Sequence, residues 1–365
     1  MAEEKEIQET YLEVEETETP RSSRELARGE TKAIQRKKKK IKNETGYKFH
    51  EFKVAGGSVI DDIYIPVLVY TAWAAIWTVI YQQTKISIAL QPIVITLLST
   101  VLGLLLVFRT NTSYDRYWEA RRLWSTLFTH SRNLSRLIWY DVDAAGDRKK
   151  VAEKFGAVNL VVAFAVACKH YLRGEKGFHY EDLHNLLIHV PDFKPGQYHP
   201  ETDSLPLEIT FHLASYFKRT RKEGMVDAVA GGQMIIALNG LTDSLSSFER
   251  IVFSPVPIAY NIHLKQIIMF YLLLLPFQIF STGYSAIFIT FLAAFCLLGI
   301  EAIGSEIENP FGYDHNDLDL QGFCEELKAE MAQLCERPTA LESTAWSLPA
   351  ELSDLTKLKS FANRK

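Results

Sequence analysis

Three long stretches without a charged residue limit what this chain can fold into. They cover residues 63–81, 86–108 and 266–300, and they are 19, 23 and 35 residues long. A helix needs about 20 consecutive apolar residues to cross a bilayer. The first two stretches therefore predict one membrane span each, near 61–81 and 86–108.

The third stretch, 266–300, is too long for one span. Pro276 and the Ser-Thr-Gly sequence at 281–283 divide it. Because proline and glycine mark breaks between regular segments, we interpret this region as a hairpin of two spans, near 258–276 and 283–303.

The rest of the chain is mixed in polarity, and 23% of all residues are charged. Residues 109–255 show helical periodicity, and no strand pattern of any length is present. The apolar segment 157–168 is about a dozen residues long, which suits a buried core helix better than a span. We expect an all-α membrane protein with four transmembrane helices in two hairpins and a large cytosolic helical region.

The first 46 residues contain few apolar residues, and we expect a disordered, charged tail there. Residues 1–20 carry eight Glu and one Lys, a net charge of −7. Residues 21–44 carry ten basic and three acidic residues, a net charge of +7. The basic run at 36–42 is either a topology signal or a contact with anionic lipid headgroups.

The positive-inside rule orients the chain in the membrane. The basic run before the first span places the N-terminus in the cytosol. Arginines directly after the second span, the first of them Arg109, mark the same side again. Two hairpins then leave both termini and the middle region in the cytosol. The acidic first 20 residues are atypical of a transit peptide, so we expect the plasma membrane.

Motifs of several enzyme classes are absent from the sequence. It has no phosphate-binding glycine loop, no paired-histidine zinc motif and no nucleophile elbow, and its ten histidines are dispersed singly. We therefore expect no enzyme. A net charge of −4 and a pI near 6.2 also give no basic balance for nucleic-acid binding.

Two segments around the end of the second span are informative. Thr100, Leu104 and Phe108 are spaced i, i+4, i+8, so they share one helix face. By periodicity alone this face could be an ordinary packing stripe. The segment 114–124 combines arginines and aromatic residues, as in a juxtamembrane helix whose arginines reach toward the interface.

The turn after the fourth span, residues 308–318, is rich in oxygen-bearing side chains. Asp314, Asn316 and Asp317 follow Gly312. This pattern favours either a cation-binding loop or a polar turn that ends a helix, and it is not the 12-residue EF-hand pattern.

These segments together resemble the bestrophin family. The motifs are FRTNTSYDRYWEARR after the second span, then SRNL, then PVPIAY at the start of the third span, and NPFGYDHND after the fourth. The resemblance covers residues 47–325 in order, and it is closest to the bacterial, fungal and plant-type branch. It defines a channel domain over 47–325 and a C-terminal tail over 326–365.

The resemblance implies a homopentameric channel that conducts chloride and other monovalent anions through a hydrophobic neck on the fivefold axis. It implies that Thr100, Leu104 and Phe108 line this neck and that Val229 forms a second, cytosolic aperture. A threonine at the first neck position departs from the apolar residue of many members, and a hydroxyl ring wets more easily.

The resemblance also implies candidate calcium ligands in the turn. Asp314 and Asp317 match the two side-chain ligands of calcium-binding members, and Glu306 and Asn309 match positions that contribute backbone oxygens. Residues 315–316 interrupt the acidic run, and members without calcium exist, so the resemblance leaves calcium binding open.

The arginine and aromatic segment is expected to serve structure. Arg116, Trp118, Glu119 and Arg121 would hold the helix below the neck. Two alternatives to an anion channel remain at this point: a cation-permeable channel of the same fold, since some bacterial relatives pass cations, and a non-conducting membrane scaffold.

Overall fold

The computed structural model describes residues 58–84, 91–190, 193 and 204–337. The expected tail over 1–46 lies outside these residues. Within them the chain is helical and contains no strand, which confirms the all-α prediction. The helices are α1 (Ile60–Thr84), α2 (Pro92–Asp141), α3 (Arg148–Leu172), α4 (Glu181–Leu187), α5 (Leu205–Lys222), α6 (Ala228–Phe253), α7 (Ile258–Ile279), α8 (Ser285–Glu306) and α9 (Leu320–Cys335).

Five of these helices are long and apolar enough to cross a membrane: α1, α2, α3, α7 and α8. In the most apolar part of α3, 72% of the residues are buried inside the protein, against 17% to 33% in the other four. A helix whose surface is already covered by protein has no face left for lipid. This burial favours the expected core helix over a fifth span.

The longest helix, α2, joins the membrane region to the cytosolic region. It has 50 residues, which corresponds to a length of about 75 Å. We expected the second span at 86–108, followed by separate cytosolic helices. Instead the described helix begins at Pro92, where a proline at the first position suits a helix start. It then continues past Phe108 without a break.

The helices enclose two separate hydrophobic cores. The smaller core lies between α1, α2, α7 and α8, and its central residues include Leu106, Ile268 and Leu272. The larger core surrounds α3, whose Val161 and Phe164 are fully buried. Helix α2 contributes residues to both cores, so it sets how the two regions are placed.

The lower half of α2 packs closely against α6. A Cβ atom added at Gly240 of α6 would lie 2.3 Å from the ring of His130 on α2. Any larger residue at this position would therefore require the His130 ring to move. Trp124 of α2 fills the adjacent space against Phe248 of α6, with ring centroids 5.3 Å apart.

The expected C-terminal boundary at 326 falls inside a helix. Helix α9 runs across it, and Leu327 and Met331 are buried against the larger core. The amphipathic pattern of these residues continues the channel domain to Cys335. Residues 338–365 of the expected tail lie outside the described residues.

Candidate functional site

The three expected neck residues lie on the exposed face of α2. Thr100 is exposed, and Leu104 and Phe108 are 58% and 56% exposed. The opposite face of the same helix is buried, with Leu102 and Leu106 in the smaller core. One face of α2 is therefore buried in the smaller core. The other face, which carries the expected neck residues, remains exposed in the single chain.

This exposed face carries no charge in the upper part of α2. Arg109 is the only charged residue between positions 92 and 114, and its side chain is 2% exposed. The Thr100 hydroxyl donates to the carbonyl oxygen of Thr96 at 2.9 Å. What α2 presents here is an apolar surface with one hydroxyl that its own backbone already engages.

A buried ion pair lies directly below Phe108. The Arg109 guanidinium is 2.7 Å from a carboxylate oxygen of Glu308, whose side chain is 14% exposed. The second carboxylate oxygen of Glu308 accepts the backbone N–H of Val256 at 3.0 Å. Glu308 therefore ties α2 to the start of α7 and to the turn after α8.

Arg116 makes a second connection at the same level. Its guanidinium donates to the carbonyl oxygens of Glu308 at 3.1 Å, of Ser254 at 2.7 Å and of Ile251 at 2.6 Å. Three carbonyls from two segments thus converge on one side chain of α2. These contacts support the expected structural role of Arg116.

The other residues of the expected structural motif differ in their surroundings. Glu119 pairs with Arg250 of α6. Arg121 lies over the ring of Phe323 in α9, 4.8 Å from its centroid. The side chain of Trp118 is 48% exposed, so in the single chain it does not hold α2 against another helix.

The residue expected at the cytosolic aperture lies in the first turn of α6. Val229 is 76% exposed. Its backbone N–H is held by the side chain of Asp227, which caps the helix and accepts that N–H at 2.7 Å. The cap fixes where α6 begins and presents Val229 outward at its end.

The acidic turn after α8 is held together by hydrogen bonds of its own side chains. One carboxylate oxygen of Asp317 accepts the backbone N–H of Asp314 at 2.8 Å, and Asn316 donates to the Glu306 carboxylate at 3.0 Å. Burial raises the pKa of Asp317, and the carboxylates of Asp314 and Glu306 raise it further. Asp317 thus already serves the turn itself.

Calcium requires six to eight oxygen ligands. In the part of the chain that the structure describes, no group of three or more His, Cys, Asp or Glu residues could hold a metal ion. As bidentate ligands, Asp314 and Asp317 would supply four oxygens, and the backbone oxygens of Glu306 and Asn309 would bring the number to six. One carboxylate oxygen of Asp317 is buried without a hydrogen-bond partner. Calcium binding at this turn therefore stays a prediction, and no step of the proposed function runs through the ion.

Sequence reasoning missed the pairing of Arg109 with Glu308. It used Arg109 only as a topology marker. The position of Arg109 could have indicated the pairing. It directly follows the uncharged stretch 86–108, and a charged residue buried there needs a partner of opposite charge. Glu308 is the first residue of the turn 308–318, but nothing in its spacing indicated a contact with α2.

Comparisons with known proteins agree with this architecture. The family model described as "Bacterial/Fungal Bestrophin protein" matches residues 40–333. A protein of Nostoc sp. named voltage-dependent anion channel-forming protein is 41% identical over 292 residues, which are 79% of this chain and 92% of that relative. A Synechocystis protein of the same name is 39% identical over 287 residues, which are 77% and 90%.

A solved structure shows the same fold. The crystal structure of a mutated bacterial bestrophin homolog from Klebsiella pneumoniae has a TM-score of 0.64 and 25% identity, and covers 75% of this chain and 99% of that one. Fold and site thus define a helical membrane protein whose longest helix bears an uncharged, exposed face. This chain belongs to the bacterial and fungal bestrophin family.

Proposed function

We propose that this chain is one subunit of a homopentameric channel that conducts chloride and other monovalent anions. The observation that carries the proposal is the exposed face of α2 with Thr100, Leu104 and Phe108. A ring of five such faces would form a pore wall. The Nostoc and Synechocystis relatives are named voltage-dependent anion channel-forming proteins, and these names support the ion class.

The neck would act by controlling water. An apolar ring is a barrier because it dewets, and an ion must shed part of its hydration shell to pass. Phe108 can turn the positive edge of its ring toward an anion. Leu104 provides only apolar surface, and Thr100 makes the upper ring easier to wet.

The remaining parts have supporting roles in this proposal. Val229 at the start of α6 forms the second constriction, at the cytosolic end. Arg116 holds α2 against α6 and the turn, so that the neck keeps its position. The bilayer lipids surround α1, α7 and α8. Both termini lie in the cytosol. The membrane is the plasma membrane.

The neck assignment is tested with purified protein in liposomes. We expect Leu104→Ala and Phe108→Ala each to raise chloride flux, because a wider ring holds water more easily. The matched control is Leu68→Ala, since Leu68 is equally apolar and 60% exposed but lies on α1. Unchanged flux in both neck variants would remove the assignment.

The ion class is tested by the reversal potential in asymmetric salt. An anion channel reverses near the chloride equilibrium potential, and a cation-permeable channel of the same fold reverses near that of the cation. A membrane scaffold gives no conductance. Tagged protein in cells, imaged against a plasma-membrane marker, tests the location.

A further inference from the structure

A basic groove lies between α5 and α6, away from the neck. It has a volume of about 580 Å³, and its lining residues are Ala214, Phe217, Lys218, Arg221, Lys222, Ile235, Leu238 and Asn239. Three of these residues are cations, and four provide an apolar floor. The groove therefore suits a ligand that is acidic and partly apolar.

The three cations of the groove are left without counter-charges. Within the described residues, no ion pair or hydrogen bond of a side chain involves Lys218, Arg221 or Lys222. The neighbouring Arg219 on the same helix pairs with Glu153 at 2.8 Å. A helix C-terminus favours cations, but this does not explain why three of them line one apolar groove.

The groove is adjacent to the expected cytosolic aperture. A Cβ atom added at Gly231 would lie 3.3 Å from the side chain of Arg221. Gly231 is two residues from Val229, in the same first turns of α6. Whatever binds in the groove would thus place its charge near the aperture.

We propose that the groove binds the acidic N-terminal segment of this chain, residues 1–20. This segment carries a net charge of −7, and Ile7, Tyr11, Leu12 and Val14 are interspersed among its glutamates. The alternation of acidic and apolar residues matches the basic rim and apolar floor of the groove.

The tether between the segment and the first helix is long enough. Residues 21–57 can span up to about 120 Å when extended, which exceeds the length of about 75 Å of α2. The proposal rests on the proposed function in one respect, which is that both elements lie in the cytosol. Docked there, the segment adds negative charge beside the aperture and lowers the local anion concentration.

The docking is tested by zero-length cross-linking of the full chain. A carbodiimide couples carboxylates to amines that they touch, and mass spectrometry identifies the linked peptides. We expect links from the glutamates of residues 1–20 to Lys218 or Lys222. These links should disappear in about 1 M salt, where the Debye length is about 3 Å.

Two results would overturn the docking. One is a set of links that joins the acidic segment only to the chain's own basic run at 36–42. The other is the absence of any link from residues 1–20 to the groove lysines, including the case in which an added anionic lipid vesicle protects these lysines instead.

The functional consequence is tested with a charge-neutralised groove. We expect the combined variant Lys218→Gln, Arg221→Gln and Lys222→Gln to raise chloride flux about threefold or more at low salt. Removal of residues 1–20 should raise it more, because the three groove cations then remain beside the aperture without the acidic segment. Neutralising the groove in the truncated chain should bring no further rise. The control variant is Arg136→Gln, Lys149→Gln and Lys328→Gln, which removes the same charge from exposed positions outside the groove lining.

The two proposals fail separately. If the cross-links form but no variant conducts anions, the docking stands and the channel function fails. If chloride flux is present but the groove variant and the truncation leave it unchanged, the regulation fails and the channel function stands.

Discussion

Arg109 carries its charge into the protein interior at the point where α2 leaves the apolar stretch. A buried ion pair costs desolvation energy, and its Coulomb attraction repays this only with good geometry. Glu308 provides that geometry, because its two oxygens engage Arg109 and the backbone of Val256. Two guanidinium nitrogens of Arg109 are buried without a hydrogen-bond partner. The stabilisation of the buried Arg109 charge therefore depends mainly on the carboxylate of Glu308.

The first prediction concerns this pair. Glu308→Gln removes the counter-charge and leaves Arg109 buried, which typically costs about 3–5 kcal/mol. We expect a large drop in the melting temperature, measured by tryptophan fluorescence in detergent. Glu119→Gln is the control, because its partner Arg250 is mostly exposed and an exposed pair contributes only about 0–1 kcal/mol. Equal effects of the two substitutions would contradict the role given to Glu308.

At the residue scale, sequence predicted what depends on periodicity. The i, i+4, i+8 spacing was enough to place Thr100, Leu104 and Phe108 on one face of α2. It could not show that Arg109, next to Phe108, turns inward to Glu308, about 200 residues away in the chain. Such a pairing depends on how α2 and the turn after α8 are brought together, which no local pattern encodes.

The end of α3 joins three elements through a cluster of charges. Lys169 contacts Asp182 of α4 and donates to Gln321 of α9 at 2.7 Å. The two ring nitrogens of His170 face carboxylates of Glu175 and Asp182. Burial alone would raise the pKa of Asp182, but its hydrogen bonds with Lys169 and His170 outweigh burial and lower it.

The second prediction follows from this lowered pKa. A carboxylate with a depressed folded-state pKa stabilises the fold above its unfolded pKa of about 3.9, and the stabilisation is lost as the pH falls. We expect Asp182→Asn to lower the melting temperature at pH 7. The difference from wild type should begin to shrink as the pH falls below about 4, where the carboxylate of the unfolded chain takes up its proton. It should vanish only below the lowered pKa of the folded carboxylate. A difference that stays constant from pH 7 to below pH 4 would show that the charge of Asp182 does not matter.

The third prediction concerns the turn after α8. A calcium site with micromolar affinity would stabilise the fold by about 4 kcal/mol at about 1 mM calcium. Because one oxygen of Asp317 already accepts the backbone N–H of Asp314 and residues 315–316 interrupt the acidic run, we expect calcium to cause no shift in the melting temperature. We also expect Asp314→Ala to leave any current independent of calcium. A calcium-dependent rise in stability that Asp314→Ala removes would restore the site.

At the element scale, hydropathy located the helices well and their ends less well. The break at 281–283 corresponds to a short turn in which Gly283 has a φ of +65°, a conformation that glycine adopts without strain. The continuity of α2 was not predicted, because apolar and charged segments look like separate elements when polarity alone is followed. The same reason explains the boundary at 326, where the packing of α9 against the larger core outweighs its charged composition.

For the molecule as a whole, the two cores differ in how far they cover their helices. The larger core buries most of α3, whereas the smaller one leaves much of α1, α7 and α8 exposed. An exposed apolar face is stable only against lipid or another subunit. The length and hydropathy of the segments were sufficient to predict a membrane region separate from a water-exposed region. An exposed apolar helix of about 20 residues is most stable inside a bilayer.

The last prediction concerns the order in which anions permeate. Helix α2 has no charged residue from Pro92 to Phe108, so an ion in the proposed neck would gain little electrostatic compensation for the water that it loses. The dehydration cost then decides the order, and large, weakly hydrated anions should permeate more readily than chloride.

We expect iodide and nitrate to exceed chloride in relative permeability, measured from reversal potentials under bi-ionic conditions. Leu104→Arg places a fixed charge in the ring and should flatten this order, because a strong electrostatic attraction offsets the cost of dehydration. Leu68→Arg, on the exposed face of α1, is the matched control and should leave the order unchanged. Permeability that is higher for chloride than for iodide in the wild type would mean that charged groups, rather than the apolar neck, select the ion.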